Sequence, residues 1–156
     1  MTMRVDNHVC GGKKTENRAD VLQKLCDTYG VHDIYAFGSR AGEMLAWLKG
    51  DSVQSAHPDS DVDIGILPLR SAKWDAERKV SFSMELEDFF AVSRVDLVLL
   101  PEAEPFLALD IIRGELLYTI DPDEQARYEL FVLRRAGDLL PFKKERIRMI
   151  LEEGGR

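Results

Sequence analysis

Cysteine is scarce in this chain of 156 residues: there are two, Cys10 and Cys26, and neither sits in a CxxC or Cys/His arrangement with metal-ligand spacing. That excludes a disulfide framework and a thiolate metal centre, so both thiols are expected to be reduced, with Cys26 packed on a helix. Long apolar runs are missing too. No window approaches the roughly 20 apolar residues that span a bilayer, and residues 1–14 hold no apolar core of a signal peptide, so a cytoplasmic protein with no membrane contact is expected. A surplus of positive charge is also absent: a net charge of −7 argues against a long nucleic acid as partner, since its backbone is held on a concentrated basic surface, and the basic run Lys143–Arg148 is read as the solvated face of a helix. Internal repeats and low-complexity tracts are not found.

What is present is ordinary globular material, with 45% apolar and 31% charged residues in a length suited to one domain. Residues 1–16 show no sustained period and are expected to form a flexible N-terminal arm. From Asn17 the positions Val21, Leu22, Leu25, Cys26 and Tyr29 recur at helical spacing, with Gly30 where a helix stop belongs. Ile34–Phe37 is a short apolar run halted by Gly38-Ser39, the form of a buried strand ending in a turn. A helix over 41–49 and a turn-rich loop to Ser60 lead into Asp61–Leu67, a strand that starts alternating and turns fully apolar.

The pattern continues with a helix within 72–92, a strand over 95–100, a helix between Pro105 and Gly114, and a short strand over 115–120. Beyond Asp121-Pro122 the chain reads as helical to about Glu152, broken near Pro141. Strands alternating with helices predict an α/β or α+β fold: a mixed sheet with helices mainly on one face, plus C-terminal helices.

Three aspartates stand out. Asp61 and Asp63 are two apart at one strand's start, hence on one face, where their charges repel. Asp96 lies inside the apolar run Arg94–Leu100, where an unpaired carboxylate is costly. A hard cation resolves both problems, because Mg²⁺ takes carboxylate oxygens together with water and phosphate oxygens. Alone, an Asp-x-Asp pair is more often a solvated surface feature, with Asp96 then paired to Arg94 or another base. Gly38-Ser39, a strand end opening a helix, supplies the complementary half: backbone N–H groups and a hydroxyl at the positive end of a helix dipole can hold phosphate.

In this order, Phe37-Gly38-Ser39-Arg40-Ala41-Gly42, then Pro58-Asp59-Ser60-Asp61-Val62-Asp63-Ile64-Gly65, then Arg94-Val95-Asp96-Leu97-Val98-Leu99-Leu100 resemble the GS…DxD…D signature of the polymerase-beta-like nucleotidyltransferase superfamily. Its minimal members, the MNT antitoxins, are the nearest in form, over roughly residues 18–120. The tail Ile111–Tyr118 also looks like the family's terminal strand. The resemblance implies a nucleotidyltransferase domain over 17–120, with 121–156 a helical extension packed on it.

By position, Asp61 and Asp63 would bind Mg²⁺ ions that hold ATP, and Asp96 would ligate the ion that activates an acceptor hydroxyl. Gly38 and Ser39 would contact the β- and γ-phosphates, with Arg40 a further contact, since a guanidinium matches phosphate geometry. The implied activity is transfer of AMP from ATP to a HEPN-type toxin, the chain being the antitoxin of the pair. Two alternatives stand beside it: a non-catalytic antitoxin that masks a HEPN RNase by contact, and a free-standing transferase for a small molecule. A homo- or hetero-oligomer is compatible with each.

The chain departs from the family pattern in the 21 residues between Ser39 and Asp61, a longer interval than usual, which carries Trp47 and His57 and could reshape an acceptor pocket. His57 is read as a surface-loop histidine. In the C-terminal region, Tyr128, Phe131, Val132 and Leu139-Leu140 form an apolar stripe expected to meet either the chain's own sheet or a partner.

Overall fold

The computed structural model describes residues 16–154, so the expected N-terminal arm lies outside the described residues except for Glu16, as does Cys10. Helix α1 (Arg18–Tyr29) starts where the Asn17 side chain accepts a hydrogen bond from the Ala19 N–H, and it ends at Gly30 as expected. Strand β1 is longer than its apolar run suggested, spanning Val31–Phe37, because His32 and Asp33 are also drawn inside. A 3₁₀ turn over Gly38–Arg40 leads into α2 (Ala41–Leu48), and the loop that follows enters β2 (Val62–Pro68).

Helix α3 (Ala76–Phe90) is capped by the Asp75 carboxylate, which accepts from the Arg78 N–H at 2.8 Å. Strand β3 (Val95–Leu99), helix α4 (Pro105–Ile112), strand β4 (Glu115–Thr119) and helix α5 (Pro122–Glu153) complete the order. The four strands lie in the order β3-β2-β1-β4; β2 and β3 are parallel, whereas β1 runs antiparallel to β2 and to β4. The mixed α/β sheet is therefore as the element order predicted.

Strand alternation divides the core in two. Ile34, Ala36, Val62, Ile64 and Ile66 turn to one face, where they meet Leu22 and Cys26 of α1, Met44 and Leu48 of α2, and Phe82, Leu86 and Phe90 of α3. Tyr35 turns to the other, with Ala108 and Ile111 of α4 and Val132 of α5. Gly65 is required on this second face: a side chain there would drive into Ile111, so its absence lets α4 lie close on the sheet.

Helix α5 is fastened by a polar row. The Tyr35 hydroxyl donates to Glu129 at 3.0 Å and accepts from the Gln125 amide at 2.8 Å, while His32 Nε2 lies 3.0 Å from Glu124. Residues 122–136 are thereby held on the sheet, with Val132 and Ala136 buried.

The expected break at Pro141 does not occur: α5 continues through it to Glu153. A proline deletes one backbone hydrogen bond and crowds the carbonyl four residues back, that of Gly137, yet the helix runs on through it from a first half that Val132 and Ala136 anchor on the sheet. The apolar stripe is split by this geometry. Val132 is buried and Tyr128 half-buried, whereas Phe131, Leu139 and Leu140 are exposed.

Candidate active site at the strand ends

The parallel register of β2 and β3 pairs Val62 with Val95 and Asp63 with Asp96. Since Val62, Ile64 and Val95 face the α1–α3 core, alternation sends Asp61, Asp63, Arg94 and Asp96 to the opposite face. Two strands thus bring three carboxylates and one guanidinium together where both strands begin. Antiparallel β1 ends at the same place, with Phe37 opposite Asp63, and so delivers the Gly38–Arg40 turn beside the carboxylates.

Gly38 adopts φ +73°, a left-handed conformation, and a Cβ on it would collide with Asp63 Oδ2 and lie 3.4 Å from Asp63 Cγ. Two independent demands, backbone conformation and space, fall on this one glycine. Ser39 is exposed next to it.

Asp63 is the most enclosed of the three carboxylates. Burial, and then the charges of Asp96 and Asp61, push its carboxyl above the ordinary aspartate value. Asp61 and Asp96 are more open than an apolar strand led one to expect, at 39% and 47% side-chain exposure. Arg94, itself 66% exposed, places Nε 3.6 Å from Asp61 Oδ2 and 3.3 Å from Asp96 Oδ1. Among the described residues no three acidic, histidine or cysteine side chains close on a single point. The donor set still fits a hard divalent cation. Mg²⁺ keeps several waters and needs only one or two protein carboxylates when phosphate oxygens complete its shell. Asp63, crowded by like charge at the sheet's end, is the carboxylate such an ion relieves most.

Arg40 departs from expectation. Its buried guanidinium donates to Glu43 at 3.0 Å and to the Ser60 carbonyl at 2.9 Å, so it holds the turn to the residue before Asp61 and is not presented to a phosphate. Burial opposes the charge of Glu43, but hydrogen bonds from Arg40 and Ser55 prevail and hold its carboxyl below the ordinary value. The long interval before Asp61 is therefore pinned to α2.

Trp47 packs against the helical core on the α1–α3 side of the sheet. Its ring packs on Phe89 and Phe90, with centroids at 4.8 and 5.6 Å, beneath the Arg18 guanidinium at 4.0 Å. His57 is exposed in the loop.

Sequence reasoning overlooked the polar row at the opposite end of β1. Its one signal was Asp33, a carboxylate inside an apolar strand, which is the same signal that drew attention to Asp96.

Residues 20–123 match the Polymerase beta, Nucleotidyltransferase family. Among solved structures, a chain of a mutant MntA–HpeT toxin-antitoxin structure superposes with a TM-score of 0.65 at 18% identity, over 85% of this chain and 98% of that one. A toxin-antitoxin structure with AMP-PNP gives 0.63 at 18% identity over the same shares, 85% and 98%. A structure of tri-AMPylated Shewanella oneidensis HEPN toxin with MNT antitoxin gives 0.57 at 20% identity, over 88% and 97%. At such identities the likeness is one of fold. No curated protein matches the chain.

Proposed function

Because the chain belongs to the Polymerase beta, Nucleotidyltransferase family, we propose that it is a Mg²⁺-dependent nucleotidyltransferase that moves AMP from ATP to a protein hydroxyl, and that the acceptor is a HEPN-type toxin for which it is the antitoxin. The observation that carries this reading is the in-register pair Asp63 and Asp96, with Asp61 on the same face and the Gly38-Ser39 turn beside them. A protein that only masked its partner would have no physical use for three carboxylates repelling one another at a strand end.

In the reaction an acceptor oxygen would give its proton to solvent water and bond to the α-phosphorus; the bond from that phosphorus to the bridging oxygen breaks, and pyrophosphate leaves. Asp61 and Asp63 would hold the metal-bound triphosphate, and Asp96 would stand on the acceptor side. Bound Mg²⁺ supplies charge neutralisation and lowers the pKa of a coordinated hydroxyl. The exposed N–H groups and hydroxyl at Gly38-Ser39 would bind the terminal phosphates as they leave. Arg40, tied to Ser60, keeps the turn and the carboxylate strand in one frame.

The nucleotidyltransferase unit is read as residues 17–120, with 121–156 an extension packed on it. What supports a protein acceptor is the second half of α5, where Leu139, Leu140, Phe142, Ile147, Ile150 and Leu151 are all exposed, an apolar surface of the kind that marks an interface. Charge complementarity between this acidic chain and a basic RNA-handling partner points the same way.

Co-expression with the neighbouring reading frame, followed by size-exclusion chromatography and intact mass, tests the proposal. A co-eluting partner heavier by one or more AMP groups is the expected result. Co-elution with an unmodified partner would leave the masking antitoxin, and nucleotidylation of a small molecule with no partner would leave the free-standing transferase.

A further inference from the structure

The sheet that gathers three carboxylates gathers one cation with them. Arg94 and Asp61 each stand one residue before paired strands, and the Val62 N–H donates to the Arg94 carbonyl at 3.0 Å, which fixes the two positions side by side. Alternation turns the Arg94 side chain to the same face as Asp96, two residues on. Its Nε then lies between Asp61 Oδ2 at 3.6 Å and Asp96 Oδ1 at 3.3 Å, spanning the two strands. Asp63, between them in the carboxylate row, has neither hydrogen bond nor ion pair from this guanidinium, and burial and like charge raise its carboxyl.

Electrostatically this is a site that has supplied its own cation. Three carboxylates at one strand end repel, and a guanidinium straddling two of them offsets part of that repulsion in the ion-free protein. A divalent ion placed against the same oxygens stands close to that positive charge. Arg94 is free to yield: its side chain is 66% exposed, and no other hydrogen bond or ion pair holds its guanidinium among the described contacts.

We propose that Arg94 is an internal counter-cation that competes with the divalent ion for Asp61 and Asp96, and that it is released when the ion arrives with a nucleoside triphosphate. The inference rests on the metal-site reading above and adds to it a residue that lowers affinity for the bare ion. A free ion must break both pairs and leave the guanidinium in water. An ion that comes with a triphosphate brings phosphate oxygens to which a guanidinium can turn, so the loss is made good. The chain thereby selects the ion–triphosphate complex over the free ion, a coupling that is reciprocal by linkage.

The test is Mn²⁺ binding to the whole chain without nucleotide, read from the electron paramagnetic resonance of free Mn²⁺. Arg94→Gln is expected to tighten Mn²⁺ by about two- to thirtyfold, the range that two exposed ion pairs correspond to. Arg94→Lys, which keeps the charge but not the reach of the fork, should fall between variant and wild type. Arg70→Gln, which removes an exposed charge from the loop after β2, should bind as wild type does; an equal gain there would mean a general charge effect and would overturn the proposal.

With the non-hydrolysable analogue AMP-PNP present, the advantage of Arg94→Gln should shrink or reverse, and an undiminished advantage overturns the exchange. Thermal melts confirm that each variant is folded. Unchanged or weaker Mn²⁺ binding by Arg94→Gln, with wild-type binding still abolished by Asp63→Asn, refutes the role of Arg94 and leaves the metal site standing. Wild-type binding that ignores Asp63→Asn refutes the metal site itself.

Discussion

Gly38→Ala separates conformation from contact at the heart of the site. The alanine would have to hold φ near +73°, which costs an L-residue about 1–2 kcal/mol. Its Cβ would also press on the Asp63 carboxylate, and overpacking of this kind costs about 1–3 kcal/mol before relaxation. Together the two terms come to about 2–5 kcal/mol, or a fall in Tm of about 4–20 °C for a domain of this size. Gly42→Ala is the matched control. That glycine lies in the first turn of α2 with nothing within 4 Å of a built Cβ, so the substitution should add up to about 1 kcal/mol of stability.

The assay is reversible urea unfolding of the two variants and of Gly38→Ala combined with Asp63→Ala. Removing the carboxylate should recover the contact term and leave the conformational one, giving a coupling of about 1–3 kcal/mol in the double-mutant cycle. Gly38→Ala as stable as wild type, or a cycle with no coupling, would refute the claim that Asp63 occupies the space over Gly38.

Four further outcomes are expected. Burial pushes the carboxyl of Asp33 up, so its contribution to stability is fully present below the unfolded pKa and lost as pH rises through the folded one; Asp33→Asn should therefore gain on wild type with rising pH, and a pH-independent difference would contradict this. Asp96→Asn should abolish label transfer from α-labelled ATP while nucleotide titration shows triphosphate binding largely kept; loss of both in proportion would move Asp96 to the triphosphate side. Phe142→Asp, at a position 72% exposed, should change urea stability by less than about 0.5 kcal/mol yet abolish co-elution with the partner, and a retained complex would place the interface elsewhere. Ala91→Gly should stabilise by about 1 kcal/mol in thermal melts, because Ala91 ends α3 at φ 54°, where glycine has no steric cost.

Much of the fold was legible because its signals are local. The helical period through Leu22 and Cys26 and the strand run Asp61–Leu67 report which side of each segment must leave water, and burial follows them in the structure; in α3 the helix was legible but its inner side less so, since Leu86 and Phe90 are buried with Phe82 while Val80 and Met84 are exposed. Boundaries slipped where side chains broke the pattern. β1 took in His32 and Asp33, polar residues in contact with each other at 2.8 Å, and the contact of His32 with Glu124 arises only when α5 packs across the strand. Pro141 was read as a stop from its missing donor, but a helix held on the sheet through Val132 and Ala136 passed through it.

At the candidate site the sequence by itself singled out the residues of the proposal: Gly38, Ser39, Asp61, Asp63 and Asp96 are motif letters, and i, i+2 spacing alone places Asp61 and Asp63 on one face. Only the tertiary structure decided which strands are neighbours and in what register. The parallel pairing of β2 with β3 sets Asp63 against Asp96 and turns Arg94 onto Asp61 as well as Asp96. It also decided that Arg40 faces Glu43 and the Ser60 carbonyl, since a long side chain goes wherever a partner distant in sequence is brought within reach. The reason is physical: alternation and turn chemistry act over a few residues, whereas strand pairing and the direction of a guanidinium follow from how the whole chain buries its apolar surface.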